Sequence, residues 1–535
     1  MPEAFAAKAR YALEALLTPL GLEPEWFGEP RIVYGDDEAG GHAVNGREES
    51  KTSREMDVRP GDERVIHLPY AKSAVRFFAE RKPYKASQAT EFILGGEELP
   101  ALFTTESREP DLVASTFLFL SGWHEAASAD RDEHGRVPYE ATLPGLLGTA
   151  DRPVADAYRS ALAERLTAAG MDVRHRSWDG RDWAFVPTHD VDYVRKWRPG
   201  ILYREGVQNL ILNLRGETFL QRLDRLAAIG GQFAAGDPYR GAFTRMIDEV
   251  TTRGGTATYF VKAGAGDPHD VPYSLEDRFV RRRLADLHER GFEVALHPSY
   301  GSVDDLNMLR TELERLATVV PARPHFGTLG DSEVGEARSE RVGGAESGEP
   351  RSLMLEGSKV GEVRSKSLSR AELRGPRSET FDGGGAREPR SVRQHYLRYD
   401  PARTPRLHVD AGFEIDSTIG FSDRIGFRRG TCLPHRLYDV ERDLPLDIWE
   451  MPLAIMDSAL FNRQNLELEE AVEHTAALMA TCRHFRGACV VLWHNTLWDE
   501  IDCPGWGEHF TRTLDMAQRD DASIDSIVDA LRKWC

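Results

Sequence analysis

Two acids one residue apart, Asp190 and Asp192, follow Thr188 and His189 where the apolar run Trp183–Val186 gives out. Paired carboxylates in such a place divide the labour of a hydrolysis: one accepts a proton from water, the other holds a cation that polarises the substrate. An Asp-x-Asp also closes a strand as a solvated Asx turn, so the pair gains chemical meaning only from its company. That company is His297, Arg393 and His494, each at the expected C-terminal end of a strand. In α/β folds such ends face a crevice and rest on a rigid base.

The elements that must position these groups are readable from periodicity. From Trp183 the chain alternates apolar, β-branched runs with amphipathic ones, the pattern of a parallel sheet or barrel. Thr256–Val261, Phe292–Leu296, Val392–Leu397, Ile448–Asp457 and Ala488–His494 read as strands. Phe243–Thr252, Asp277–Arg290, Leu466–Arg483 and Ser523–Trp534 read as helices, and Ser302 is expected to cap another that carries Leu306, Leu309, Leu313 and Leu316. Pro298 cannot donate to a ladder, so its strand stops there and turns His297 to the crevice. Before Trp183, Phe5–Leu20 and Pro153–Ala169 have helical spacing and Arg31–Tyr34 reads as a short strand. The polar, Gly-rich stretch Asp36–Gly61 reads as a loop. His124 and the acids and histidines of 130–134 show no recurring ligand spacing and read as a solvated turn.

Four segments result: an N-terminal α/β domain over 1–165 of undisclosed role, a first part of the main domain over 175–320, an insertion over 321–390, and a second part over 391–535. The insertion is rich in Gly, Ser, Arg and Glu with few aromatics, a composition expected to stay disordered because it buries too little apolar surface to offset its chain entropy. With 535 residues and 41% hydrophobic composition the chain is expected to be globular with more than one domain. A formal charge of -19 argues against nucleic acid and anionic membranes as partners. No apolar run spans a bilayer, the N-terminus lacks the features of a signal peptide, and the five cysteines form no Cys-x-x-Cys pair. A cytoplasmic location with reduced thiols is the expectation.

The ordered set Thr188-His-Asp-Val-Asp192, His297-Pro-Ser-Tyr300, Arg393-Gln-His-Tyr396 and Leu492-Trp-His494 resembles the motifs of the polysaccharide deacetylase (NodB-homology) family. The resemblance runs from about Trp183 to the C-terminus, leaving out the insertion. The stretches 118–124 and 131–136 are similar to an N-terminal extension found in one bacterial subgroup of that family. What the resemblance implies is a distorted (β/α)7 barrel that hydrolyses N-acetyl groups of carbohydrates with a divalent metal. It implies Asp190 as catalytic base, Arg393 as the residue that orients it, His494 as general acid, and Asp192 and His297 as metal ligands. The chemistry suits these roles: an imidazole gives a proton to a departing amine, and a guanidinium keeps a neighbouring carboxylate ionised and aimed.

One position departs from the pattern. The second histidine of the family's His-x-x-x-His is Gly301 here, and His395 stands where the family often has proline. Two readings of His395 are open, a third metal ligand or a hydrogen-bonded core residue; Asp457 likewise reads either as a site group or as a plain strand-end acid. Zinc is the first expectation for the metal, with cobalt, nickel or manganese as alternatives. Tyr396 and Trp493 are expected to contact substrate, and Trp183, Trp197 and Trp498 either stack on sugar rings or fill the core. The resulting expectation is a carbohydrate N-deacetylase acting on an N-acetylated sugar or polysaccharide precursor. The alternatives are another amide or cyclic ureide hydrolase on the same barrel, or a carbohydrate-binding protein without catalysis.

Overall fold

The computed structural model describes residues 3–22, 31–34, 65–212, 215–264, 266–270, 273–320 and 390–535. The stretch expected as a loop over 36–61 and nearly all of the expected insertion lie outside these residues. The strands, in chain order, are β1 Arg31–Tyr34, β2 Val65–Leu68, β3 Thr90–Leu94, β4 Glu97–Ala101, β5 Ala184–Val191, β6 Thr258–Val261 and β7 Glu293–Leu296. They continue as β8 Ser391–Val392, β9 Ile415–Asp416, β10 His435–Asp439, β11 Leu444–Glu450, β12 Leu453–Met456, β13 Ala488–Leu492 and β14 Ser523–Ile524.

The molecule is built around β5, whose eight residues are all buried. A strand covered on both faces has no polar face to show, which is why Trp183–Val186 reads as a continuous apolar run. β5 runs past the expected end at Val186 to Val191, through a proline. Pro187 is tolerated because of a seam between neighbours. β14 pairs only with Ala184 and Phe185, and β6 begins opposite Thr188. The carbonyls of Trp183 and Phe185 accept from β14, so the proline nitrogen, of the same parity, points to the gap between the two strands. The other edge of β5 is free to pair with β13 from Ala184 to Thr188.

The principal sheet runs β10-β11-β9-β8-β7-β6-β5-β13-β12, with β14 added to β5. Every pairing is parallel except β10 with β11. The sheet curls into a half-barrel compatible with a distorted barrel. No ladder joins its two ends among the described residues. Isolated bonds do link β12 to the segment after β9: Leu453 N–H donates to Ile419 O at 3.2 Å and Gly426 N–H to Ala454 O at 2.9 Å. Helices Pro238–Thr252, Arg278–Glu289, Leu306–Ala317, Leu468–His484 and Trp506–Arg519 cover the sheet with apolar faces such as Phe243, Met246, Ile247 and Val250. Asp237, Asp277 and Asp305 cap the first three through side-chain acceptance of backbone N–H groups.

β8 has only two residues, too few to hold its register by ladder bonds alone. The buried Glu293 compensates: it accepts from Thr258 Oγ1 at 2.6 Å, Ser391 Oγ at 2.6 Å and Val528 N at 3.1 Å, tying β6, β7, β8 and the last helix at one point. Buried polar groups are stable only when so satisfied.

The N-terminal residues pack against the β10–β11 edge, and all the described residues belong to one compact unit. Helix Glu3–Leu17 sets Tyr11 against Tyr438, ring centroids 5.0 Å apart, and Tyr11 OH donates to Arg436 O at 2.7 Å. Glu125 is buried between Arg428 at 3.0 Å and Arg429 at 3.3 Å. Asp156 accepts from Thr431 Oγ1 and Cys432 N, each at 2.8 Å. No helix among the described residues is long and apolar enough to cross a membrane.

Several sequence expectations shift. The strand expected over 392–397 is β8 followed by a 3-10 turn, because Tyr396 and Leu397 take left-handed φ of 60° and 52°. Ile448–Asp457 is two strands, parted at Met451 and Pro452, since proline cannot continue the ladder. The helix expected from Ser523 opens with β14 and begins only at Ile527. Asp305, not Ser302, caps Leu306–Ala317; Ser302 donates to Ser299 O instead. His124 is buried rather than solvated, accepting from Tyr84 N at 2.9 Å.

Candidate active site and metal group

Side chains alternate along a strand, so Thr188, Asp190 and Asp192 share a side of β5 and its exit while His189 points to the other. His189 packs its ring on Tyr259 and Phe510 and bonds Trp493 O through Nδ1 at 2.9 Å. Burial pushes its pKa down to about 3, so it stays neutral.

Arg393 is fully buried under the carboxylates. Its Nη1 donates to Thr188 Oγ1 at 2.6 Å and to Asp190 Oδ1 at 3.2 Å, while Nε and Nη2 donate to Ser417 O and Oγ, each at 2.8 Å. The Phe260 ring lies 4.4 Å from the guanidinium carbon. Burial lowers the pKa of Arg393, and the Asp190 charge opposes that. A guanidinium held at four points fixes Asp190 in place.

Asp192, His297 and His395 bring one ligand atom each within 4.8 Å of one another. His297 Nε2 and His395 Nε2 lie 3.5 Å and 3.4 Å from Asp192 Oδ1. That oxygen is buried, with the Lys262 ammonium 3.1 Å away. His297 Nδ1 faces the Arg393 carbonyl at 2.7 Å and His395 Nδ1 faces Asp270 Oδ1 at 2.9 Å. Both partners are acceptors, so each Nδ1 carries the proton and each Nε2 is left to bind at the centre. One oxygen and two nitrogens converging so are the protein donor set of a catalytic divalent site. Burial raises the pKa of Asp192, but His297, His395 and the Lys262 charge carry it well below the usual carboxylate range. His395 is depressed by burial and raised more by Asp192 and Asp270. The residues therefore fit a divalent metal.

His494 closes the site. Its Nδ1 lies 2.7 Å from Asp457 Oδ1, its backbone N–H donates to Asp457 Oδ2 at 2.5 Å, and its Nε2 faces Asp192 Oδ2 at 3.8 Å. Burial lowers its pKa, and the Asp457 charge and hydrogen bond, helped by Asp192 and Asp190, raise it to about 9. Asp457 is thus more than a strand-end acid: it orients and charges His494.

The structure brings together Asp190, Asp192, His297, Arg393, His395 and His494. Tyr396 stands at the rim, 39% exposed, its ring 4.7 Å from His395 and from His134. Trp493 departs from expectation. It is fully buried, its ring against His509 and Phe510, because alternation that aims His494 at the site aims its neighbour into the core. Trp183 and Trp498 are core as well, and Trp197 stacks on Phe233 at 4.4 Å. Sequence reasoning missed Lys262 and Asp270. Gly301 is not imposed by crowding, since a Cβ there meets only Met308 Sδ at 3.8 Å and its methyl carbon at 4.0 Å.

Residues 53–170 match the model of a family of unknown function, DUF7033. No curated protein matches the chain. A solved structure of a candidate polysaccharide deacetylase from Mycobacterium smegmatis aligns over 66% of this chain and 91% of its own, with 14% identity and a TM-score of 0.36. A likeness that distant carries no weight beside the strands and side chains above.

Proposed function

We propose that this chain is a carbohydrate N-deacetylase on a distorted (β/α)7 barrel, releasing acetate from an N-acetylated sugar or polysaccharide precursor. The observation that carries the reading is the convergence of a held carboxylate, a three-residue metal group and a charged imidazole at one end of one sheet. Asp190, aimed by Arg393, takes a proton from water as the water oxygen bonds to the acetyl carbon. His494, charged by Asp457, gives its proton to the nitrogen as the carbon–nitrogen bond breaks, leaving acetate and a free amine. A divalent metal held by Asp192, His297 and His395 would supply positive charge to the acetyl oxygen and the water. Tyr396 lines the entrance, where a sugar ring would pass.

The test is acetate release from N-acetylhexosamine oligomers by the full chain, with chelator and with added metal. His395→Ala should lose metal content and activity together and recover part of the activity in excess metal. Full activity in chelator, or an unchanged His395→Ala, refutes the metal part. Acetate release from no N-acetylated sugar refutes the function.

A further inference from the structure

We propose that Lys262 is a built-in cation of the metal group, which a metal must displace; this rests on the reading of Asp192, His297 and His395 as ligands. Lys262 follows the last residue of β6 and is 2% exposed. Its backbone N–H donates to Tyr273 OH at 2.8 Å, which anchors the chain at that point. Its Nζ lies 3.0 Å from His395 Nε2 and 3.1 Å from Asp192 Oδ1. These are the two atoms that a metal would take from those residues. A buried ammonium needs such partners, because leaving it unpaired away from water is costly.

The lone pair on His395 Nε2 serves an N–H of Lys262 or a metal, never both at once. His395 Nδ1 is committed to Asp270, so the ring cannot offer its other nitrogen instead. A divalent ion among the three ligands would also stand within a few ångströms of the ammonium, with repulsion little screened by water. Lys262 thus holds the ligands together without metal and weakens metal binding. The site is reversibly loaded rather than permanently filled. Its third ligand comes from His395, which Lys262 can reach, and the motif position that would have supplied another nitrogen is Gly301.

The test is calorimetric titration of the full chain, stripped by chelator, with zinc. Lys262→Met removes the charge and keeps the length, and should bind zinc about tenfold or more tightly than wild type. Lys262→Arg keeps the charge and should bind no more tightly than wild type. Equal or weaker binding by Lys262→Met overturns the proposal, as does absence of zinc binding from both proteins. Should Lys262→Met fail to fold by circular dichroism, Lys262→Gln takes its place, with tighter zinc binding expected and equal or weaker binding again overturning the proposal. Acetate release is measured separately on the same proteins. Tighter zinc binding without acetate release would refute the deacetylase reading and leave this inference standing; acetate release with unchanged zinc affinity would do the reverse.

Discussion

Replacing Asp457 with asparagine separates the charge that Asp457 gives His494 from the shape that it fills. The rise in the His494 pKa from the ordinary 6.5 to about 9 corresponds to about 3 kcal/mol in favour of the imidazolium. Asp457 is the foremost cause of that rise, working against burial. In Asp457→Asn the pKa should fall back to the ordinary range. Near pH 8 the protonated fraction would then drop from about nine-tenths to a few per cent, and kcat/KM for acetate release by about thirtyfold. Near pH 6 both proteins carry mostly protonated His494, so the difference there should be less than about twofold. The sign for stability follows the same shift. A folded-state pKa raised above the unfolded one stabilises fully below about 6.5, and that stability is lost as pH rises through about 9. The variant should lack this pH-dependent part. The assay is a pH profile of acetate release with a parallel denaturant series. A loss equal at all pH values would mean that Asp457 only positions His494. An unmoved basic limb would mean that His494 is not the acid.

Asp190→Asn should lower turnover by roughly two or more powers of ten while Arg393 keeps its bonds to Thr188 and Ser417; wild-type turnover in a steady-state assay would remove Asp190 from the base's role. Trp493→Ala should cost about 3–5 kcal/mol of stability in denaturant titration, as an emptied core site does, and a variant of undiminished stability that loses only substrate affinity would show Trp493 to be a binding residue after all.

Much of the site was legible because strand ends announce themselves. His494 stands just past the apolar run of β13, as that run says, whereas Asp190 lies inside β5, which continues through Pro187 to Val191. His395 was legible as one of two readings, third ligand or core residue, and the sequence left them open because its placement beside Asp192 and His297 depends on the left-handed turn at Tyr396 that follows a two-residue strand. Lys262 was hidden for a different reason. A lysine after Tyr259-Phe-Val261 has the look of a solvated strand cap, and only the curl of the sheet shows that it points inward. Asp270 sits in a polar stretch whose composition gives no hint of a partner 125 residues on. Trp493 could have been placed correctly from sequence, because strand parity forbids adjacent residues of β13 and its exit from facing one crevice. At β5 the same parity unites Asp190 with Asp192. Glu293 escapes pattern reading altogether, as its three bonds join elements far apart in the chain.

The described residues on either side of 321–389 divide the candidate site between them. Residues before it supply Asp190, Asp192, Lys262 and His297; residues after it supply Arg393, His395, Asp457 and His494. The sheet is divided too, for β5, β6 and β7 form a ribbon clasped between β8 on one side and β13 on the other. Either half alone would present unpaired strand edges, the surfaces on which foreign strands assemble. Neither half alone would hold both the proposed base, Asp190, and the proposed acid, His494. On the proposed mechanism, catalysis would be a coincidence detector for the chain's own folding: turnover would report that both halves are present, docked and in register, and a nick that lets them part would silence it without touching a single reacting group.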